Sequence, residues 1–408
     1  MTVVPSMRRG VPVLSGAEAI EVARTLAAEF APGSVERDRD RVLPHAEVNR
    51  LKESGLYALN VPTWLGGPGL PPSVVSEVFA TLAEGDPNIA QVGHSHYVFL
   101  NLVRLCASPL QQEALFGQVL AGRLVANAQA ERTTATARDV STTLFVDPDG
   151  RLVLTGEKYY CTGTLFADTV AVVARLDDPT GSSGLPDGIC VVFAPATSPG
   201  LRVVDDWDAL GQRVTGSGTV LLDGVEVRRR WVVPRTAFDG PSGFGAYAQL
   251  LHASIDVGIA RAAMRDAAEF IRTRARPWCE AEVDRAVEDP LTTQRFGELE
   301  VDLIAAEAVL DRARRAVDEV YDEPGEEAAV RASLDVAAAK VLAERAAVGL
   351  GSAVFEVCGT RAVAPDVGLD RHWRNARTHT LHDPVRWKFQ HLGRHALTGQ
   401  APPRHGAI

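Results

Sequence analysis

The chain has 408 residues, 46% of them hydrophobic and 23% charged, and a formal net charge of −10. That length admits two or three domains with a sizeable core, and the balance of apolar and charged residues excludes a disordered chain or one built for the bilayer. The acidic balance argues against nucleic acid as the main partner, and no apolar run approaches the eighteen or so residues of a membrane span.

At the N-terminus Arg8 and Arg9 precede an apolar patch, but GVPVLSG is broken by proline and soon followed by Glu18, so no signal peptide is expected. From Gly16 to about residue 122 apolar residues recur at helical spacing in AEAIEVARTLAAEF, HAEVNRLKESG and SVVSEVFATLAEG, the last two each closing on a glycine suited to a C-terminal cap. Residues 1–122 therefore read as a helical domain. Within it HSHYVFLNL, residues 94–102, sets His94 and His96 in a helical segment facing the next domain.

Residues 123–238 change character. TTLFVDPDGRLVLTGEKYY, TVAVVARL, GICVVFA and TVLLDGVEV are short, rich in valine and leucine, and separated by turn pairs such as the DG of PDGR and the GS of TGSG. They predict an antiparallel sheet or barrel. Residues 239–408 carry three long, alanine-rich, periodic segments, typical of a helical bundle. The five cysteines, Cys106, Cys161, Cys190, Cys279 and Cys358, are scattered and show no CxxC spacing, so a reducing cytoplasm fits and neither a disulfide framework nor a zinc site is expected. Only four of the 42 basic residues are lysine, so a single arginine carries little information.

The stretch RNARTHTLHDP, residues 374–384, sets His379 and His382 three apart, followed by Asp383 and Pro384. If residues 374–383 are helical, the two imidazoles share a face, and Pro384 disfavours continuing the helix. A histidine there can donate a hydrogen bond or a proton into a cavity, or simply cap the helix end. A metal pair would need a third ligand, and none recurs at useful spacing. In KYYCTG, strand alternation sends Tyr160 and Thr162 to one face and Cys161 to the other. TGSG, residues 215–218, lacks the lysine of a phosphate loop and reads as a hairpin turn.

The order helices, strands, helices, together with GEKYYCTG, DDWDALGQRVTGSGT, ARPW and DRHWRNARTHTLHDPV, resembles the acyl-CoA dehydrogenase superfamily over nearly the whole chain. More closely it resembles the flavin-dependent monooxygenase branch typified by dibenzothiophene monooxygenase. The resemblance implies an α+β multidomain protein with an N-terminal helical domain, a central β-barrel or sheet domain and a C-terminal four-helix bundle, assembled as a homotetramer. It further implies the oxygenase component of a two-component system. Reduced FMN comes from a separate flavin reductase, reacts with O2 through a flavin C4a-hydroperoxide, and oxygenates sulfur or nitrogen in a small, largely apolar substrate.

On that resemblance His382 protonates or hydrogen-bonds the peroxide, with His379 in support and His96 matching a histidine of the branch. Thr162 bonds the reactive edge of the flavin ring, Asn127 stands beside the ring, Trp207 lines the cavity, and Tyr160 and Arg374 join the cofactor set. Arg276 of ARPW matches a contact to flavin phosphate, for which an arginine fork is suited. Each has a structural alternative: β propensity for Thr162, a strand-end turn for Asn127, core packing for Trp207, one more surface arginine for Arg276. Gln91 stands where some relatives carry a second functional histidine. EVCGTRAVAP keeps Gly359 but puts Thr360 and Arg361 into a glycine-rich phrase that approaches the adenine half of FAD, so FMN is favoured over FAD. The competing enzyme is an FAD-dependent acyl-CoA dehydrogenase with Asp383 as the base. Asp383 is a methylene shorter than the family's glutamate, and a displacement of about 1 Å costs on the order of a hundredfold in rate. A flavin-free scaffold is the third reading.

Overall fold

The computed structural model describes residues 10–136, 139–236, 240–406 and 408. Arg8, Arg9 and the expected domain boundary between residues 238 and 239 lie outside them. The N-terminal helices are α1 (Gly16–Phe30), α2 (Ser34–Asp40), α3 (His45–Ser54), α4 (Pro72–Gly85), α5 (Pro87–Cys106) and α6 (Pro109–Leu120). α1 opens on a capping box in which the Ser15 side chain accepts from the Glu18 N–H and the Glu18 carboxylate accepts from the Ser15 N–H. Gly55 closes α3 with φ of 86°, as its sequence predicts. Gly85 does not close α4 that way. The helix runs through it, and a Cβ there would sit 2.5 Å from the Ala27 carbonyl oxygen, so this glycine admits α1 rather than turning the chain. α5 is buried along nearly its whole length.

The strands are β1 (Val125–Ala128), β2 (Thr143–Val146), β3 (Leu152–Lys158), β4 (Thr169–Asp177), β5 (Ile189–Pro195), β6 (Leu201–Val204), β7 (Thr219–Val227) and β8 (Val232–Pro234). They form one sheet in the order β6-β7-β3-β2-β4-β5-β8, with β1 also on β4. The sheet is mixed, which corrects the antiparallel expectation. β4 pairs in parallel with β1 along its first half and with β2 along its second. Parallel neighbours need a connection that returns the chain to its starting end, and the β2–β3 hairpin with its following turn supplies one. β4, the strand with most neighbours, also has the longest unbroken run of buried residues. TGSG is not the turn of a tight hairpin either: it closes a long excursion, residues 205–218, between β6 and β7.

The C-terminal part comprises α7 (Phe244–Thr273), α8 (Pro290–Asp322), α9 (Glu326–Cys358), α10 (Asp370–His379) and α11 (Arg386–Thr398). α7 lies deepest, packed between α4 and α9. A Cβ on Gly258 would stand 2.4 Å from the Ala80 carbonyl oxygen, so small residues set how closely α7 approaches α4. The core thus runs continuously from α1 and α4 through α7 to α8 and α9, while a second cluster joins α5 and α6 to the sheet. No helix among the described residues is long and apolar enough to cross a membrane.

Candidate active site

One wall of the site comes from the sheet. β3 ends at Lys158, a buried ammonium 2.6 Å from the Glu131 carboxylate, and there the chain leaves the sheet. Tyr160 takes a left-handed φ of 56°, so the expected strand alternation of Tyr160 with Thr162 is not present. Tyr160 is 54% exposed, its ring beside those of Tyr159 and Trp207 at 4.6 and 6.0 Å, while Thr162 is turned inward. Asn127, on β1, holds this turn by donating from Nδ2 to the Tyr160 carbonyl at 3.1 Å. Thr162 Oγ1 lies 2.8 Å from Ser217 Oγ, which lies 2.7 Å from Thr215 Oγ1, and Thr215 donates to the Gln212 carbonyl at 3.0 Å. Trp207 Nε1 donates to that same carbonyl at 2.8 Å. The Gln212 side chain is buried beside them, and both its amide atoms lack a partner.

The facing wall is histidine. α5 lies against the Thr162 turn so closely that a Cβ on Gly163 would stand 3.0 Å from the Val92 carbonyl oxygen. Two residues on, His94 stacks on His252 of α7 with centroids 3.7 Å apart. His252 is the middle ring of three, because His382 lies 4.1 Å from it and 6.5 Å from His94. Behind them His379 Nδ1 is 2.5 Å from Asp256 Oδ1, and its Nε2 is 3.0 Å from His252 Nδ1 and 3.1 Å from Gln91 Oε1. Asp256 Oδ2 is 3.1 Å from Lys340 Nζ, and Asp383 Oδ2 is 3.0 Å from Lys388 Nζ. Two buried carboxylates therefore face two buried ammoniums, and the charges cancel.

Local structure explains these placements. His252 and Asp256 are four apart on α7 and share a face. α10 stops at His379, four residues earlier than a helix over 374–383 would, because Pro384 disfavours helical backbone at Asp383. His382 reaches the cluster from the turn that follows, its N–H donating to the His379 carbonyl at 3.1 Å, and its side chain is half exposed.

Burial pushes the His94 imidazole down to about 3, although its bond to the Ala248 carbonyl works the other way. Burial likewise holds His252 well below the ordinary histidine value, helped by His94, His382 and Lys340, and holds His379 below it against the pull of Asp256. Burial alone would raise the Asp256 carboxyl, but Lys340 and His379 keep it below the usual carboxylate range. The imidazoles are thus neutral groups in a sealed place, which is the state that can accept or pass a proton.

Four expected site residues are placed otherwise. His96 is buried with both ring nitrogens taken by backbone, Nε2 by the Tyr57 carbonyl at 2.8 Å and Nδ1 by the Val125 N–H at 3.1 Å. It ties α5 to β1, and its neighbour His94 is the one that joins the cluster. Arg374 spends its guanidinium on Asp38, Asp370 and the Leu210 carbonyl, pinning α10 to α2 and the 205–218 loop. Arg276 is exposed beyond the end of α7, and at 1.5 Å per residue the 21 residues from His252 to Thr273 set it about 30 Å from the histidines. Asp383, the base of the dehydrogenase alternative, is buried. Burial would raise its carboxyl, but His382, Lys340 and Lys388 hold it well below the usual range, so it is a poor proton acceptor.

The sequence reading missed His94, His252, Asp256, Lys340, Lys388 and Ser217 as site residues. A signal was available: in an arginine-rich chain the four lysines stand out, and Lys158, Lys340 and Lys388 are all buried against carboxylates. Among the described residues no group of three or more His, Cys, Asp or Glu is placed to hold a metal ion.

Residues 18–123 match the acyl-CoA dehydrogenase N-terminal domain and residues 250–387 the acyl-CoA dehydrogenase C-terminal domain. The chain is 33% identical to dibenzothiophene monooxygenase of Rhodococcus erythropolis over 94% of each chain. It is 31% identical to the probable FMNH2-dependent monooxygenase SfnC of Pseudomonas putida, over 94% of this chain and 96% of that one. The crystal structure of FMN-bound TdsC from Paenibacillus sp. A11-2 superposes with a TM-score of 0.90 at 33% identity, covering 96% of this chain and 100% of that one.

Proposed function

We propose, from the premise that this chain belongs to the acyl-CoA dehydrogenase family and to its flavin-dependent monooxygenases, that it is the oxygenase of a two-component system. It takes reduced FMN from a separate reductase and oxygenates sulfur or nitrogen in a small substrate. The observation that carries this is the pairing of a hydroxyl- and amide-lined turn with the buried, neutral imidazoles of His94, His252 and His379, where a dehydrogenase would need a free carboxylate base and Asp383 is held by Lys388.

The residues fit FMN. Asn127 and Thr162 offer polar atoms to the edge of a flat ring, Tyr160 and Trp207 offer aromatic surface, and the buried, unpartnered Gln212 amide is a group a polar ligand would satisfy. Bound reduced FMN supplies two electrons and activates O2. His382, half exposed beside His252, donates a proton or hydrogen bond to the reacting oxygen, with His379 fixing its surroundings; α5 and α7 exclude water. Arg276 is too far from this cluster to meet the same flavin in one chain, so it serves the phosphate of a second copy, in keeping with a homotetramer. The composition suits the cytoplasm. FAD remains the secondary cofactor, disfavoured by Thr360 and Arg361.

The test is to load the protein anaerobically with reduced FMN or reduced FAD, mix it with isotopically labelled O2 and a panel of thioethers, sulfinates and amines, and weigh the products. One labelled oxygen per product with FMN is expected, and His382→Ala should bind FMN yet lose about 10²–10⁴-fold in coupled oxygenation. Bleaching of oxidised FAD by an acyl-CoA, with no labelled product, would overturn the assignment.

A further inference from the structure

We propose that Asp256, His379 and His252 form a proton relay whose open end, His252 Nε2, stores and returns a proton during turnover. The inference rests on the monooxygenase reading of this site.

The protonation pattern follows from the contacts. Asp256 Oδ1, 2.5 Å from His379 Nδ1, must accept the proton on that nitrogen. In a neutral imidazole the other nitrogen then carries only a lone pair, so His379 Nε2 accepts. The His252 Nδ1 at 3.0 Å is therefore the donor, and His252 Nε2 is left with a lone pair. That atom is buried and has no partner. Unpaired buried polar atoms are uncommon in folded proteins, and this one ends a chain of hydrogen bonds that begins at a buried carboxylate.

A proton taken at His252 Nε2 is matched by passage of the Nδ1 proton to His379 Nε2. The charge then rests on a His379 imidazolium against the Asp256 carboxylate. Gln91 Oε1, 3.1 Å from His379 Nε2, accepts from that nitrogen in the charged state, whereas in the neutral state the nitrogen's one lone pair takes the His252 Nδ1 proton. The groups facing His252 are His94 from α5, Lys340 from α9, His379 from α10 and His382 from the following turn. Burial and these neighbours disfavour the stored charge, so the proton is readily given back. The balance of the reaction requires a store rather than a source. FMNH2, O2 and substrate become FMN, water and oxygenated substrate with no net proton change, so a proton taken in one half is returned in the other. Asp256 and His379 act through His252 and are positioning residues.

The experiment uses the full-length protein with nitrogen-15-labelled histidine, and reads each ring's tautomer from its nitrogen shifts. His252 and His379 should both be neutral at pH 7 with the proton on Nδ1. An Nε2-protonated His252, or a His379 cationic at rest, would overturn the relay, and this arm needs no variant to fold. Asp256→Asn should redistribute the His252 proton between its two nitrogens. His252→Gln should bind reduced FMN within about threefold of the parent yet lose about a hundredfold in coupled oxygenation, the magnitude of lost acid–base assistance, with hydrogen peroxide released instead. Parental coupling in His252→Gln would overturn the relay too. If the parent protein oxygenates none of the probes, the monooxygenase reading falls while the tautomers still judge the relay.

Discussion

Thr215 settles the direction of the hydroxyl chain that ends at Thr162. Its Oγ1 donates to the Gln212 carbonyl, so Ser217 must donate to Thr215 and Thr162 to Ser217. Thr162 is left presenting lone pairs. A reduced flavin carries an N–H at its reactive edge where the oxidised ring carries a bare nitrogen, so Thr162 in this state suits the reduced ring. The protein should accordingly bind reduced FMN more tightly than oxidised FMN. Ser217→Ala frees the Thr162 hydroxyl to turn and donate, and the preference should narrow by about fivefold, the equivalent of one hydrogen bond of roughly 1 kcal/mol. Anaerobic titration with photoreduced FMN, against fluorescence titration with the oxidised form, measures both constants. An unchanged ratio would mean that Thr162 does not meet that edge.

Helix packing gives a paired prediction at the next scale. α7 crosses α4 where Ser254 Oγ and Ser76 Oγ are 2.6 Å apart, and a Cβ on Gly258 would also stand 2.6 Å from the Ala83 Cβ. Gly258→Ala should therefore destabilise the fold by about 1–3 kcal/mol through overpacking, even though alanine is the better helix former by about 1 kcal/mol. Gly349, exposed on α9 with nothing within 4 Å of an added Cβ, is the control. Gly349→Ala should stabilise by about 0.5–1 kcal/mol, and the two midpoints in denaturant should move in opposite directions. The same contrast shows what was legible beforehand. α1, α3 and α4 carry apolar stripes or end signals in their own residues, and the order of helices and strands follows from such local patterns. Which glycine caps and which packs depends on a neighbour far away in sequence, as Gly55 and Gly85 show. The parallel partners of β4 and the meaning of the buried His252–Asp256 face of α7 are non-local in the same sense. His382 could be read from its setting before Pro384, whereas His252 becomes meaningful only once α10 brings His379 against it.

At the scale of the whole molecule, the buried histidines make acid the protein's weakness. His96 and His372 are pushed by burial down to about 4, and His94 to about 3; His252 and His379 are shifted in the same direction. In the unfolded chain each returns to about 6.5, so below that pH the unfolded state binds more protons than the folded one and stability falls as pH falls. Nothing of this is lost above about pH 7, where both states are neutral. Carboxylates extend the loss to lower pH with the same sign. Burial would raise Asp266, but His372 and Arg371 hold it below the usual range, so its contribution is present above about 4 and disappears as pH drops further. Five histidines set an upper bound of about 7 kcal/mol lost per pH unit between pH 6 and 5, comparable to the stability of a whole domain. The thermal midpoint should be flat from pH 8 to 7, bend downward near 6.5, and give way to cooperative unfolding by about pH 5. His96→Gln, whose amide can still donate to the Tyr57 carbonyl, should take up about one proton fewer on unfolding and flatten the slope accordingly. A midpoint that holds to pH 4 in the parent protein would mean that these imidazoles are not sealed in their neutral form, and the proton-handling role drawn for His94, His252 and His379 would lose its basis.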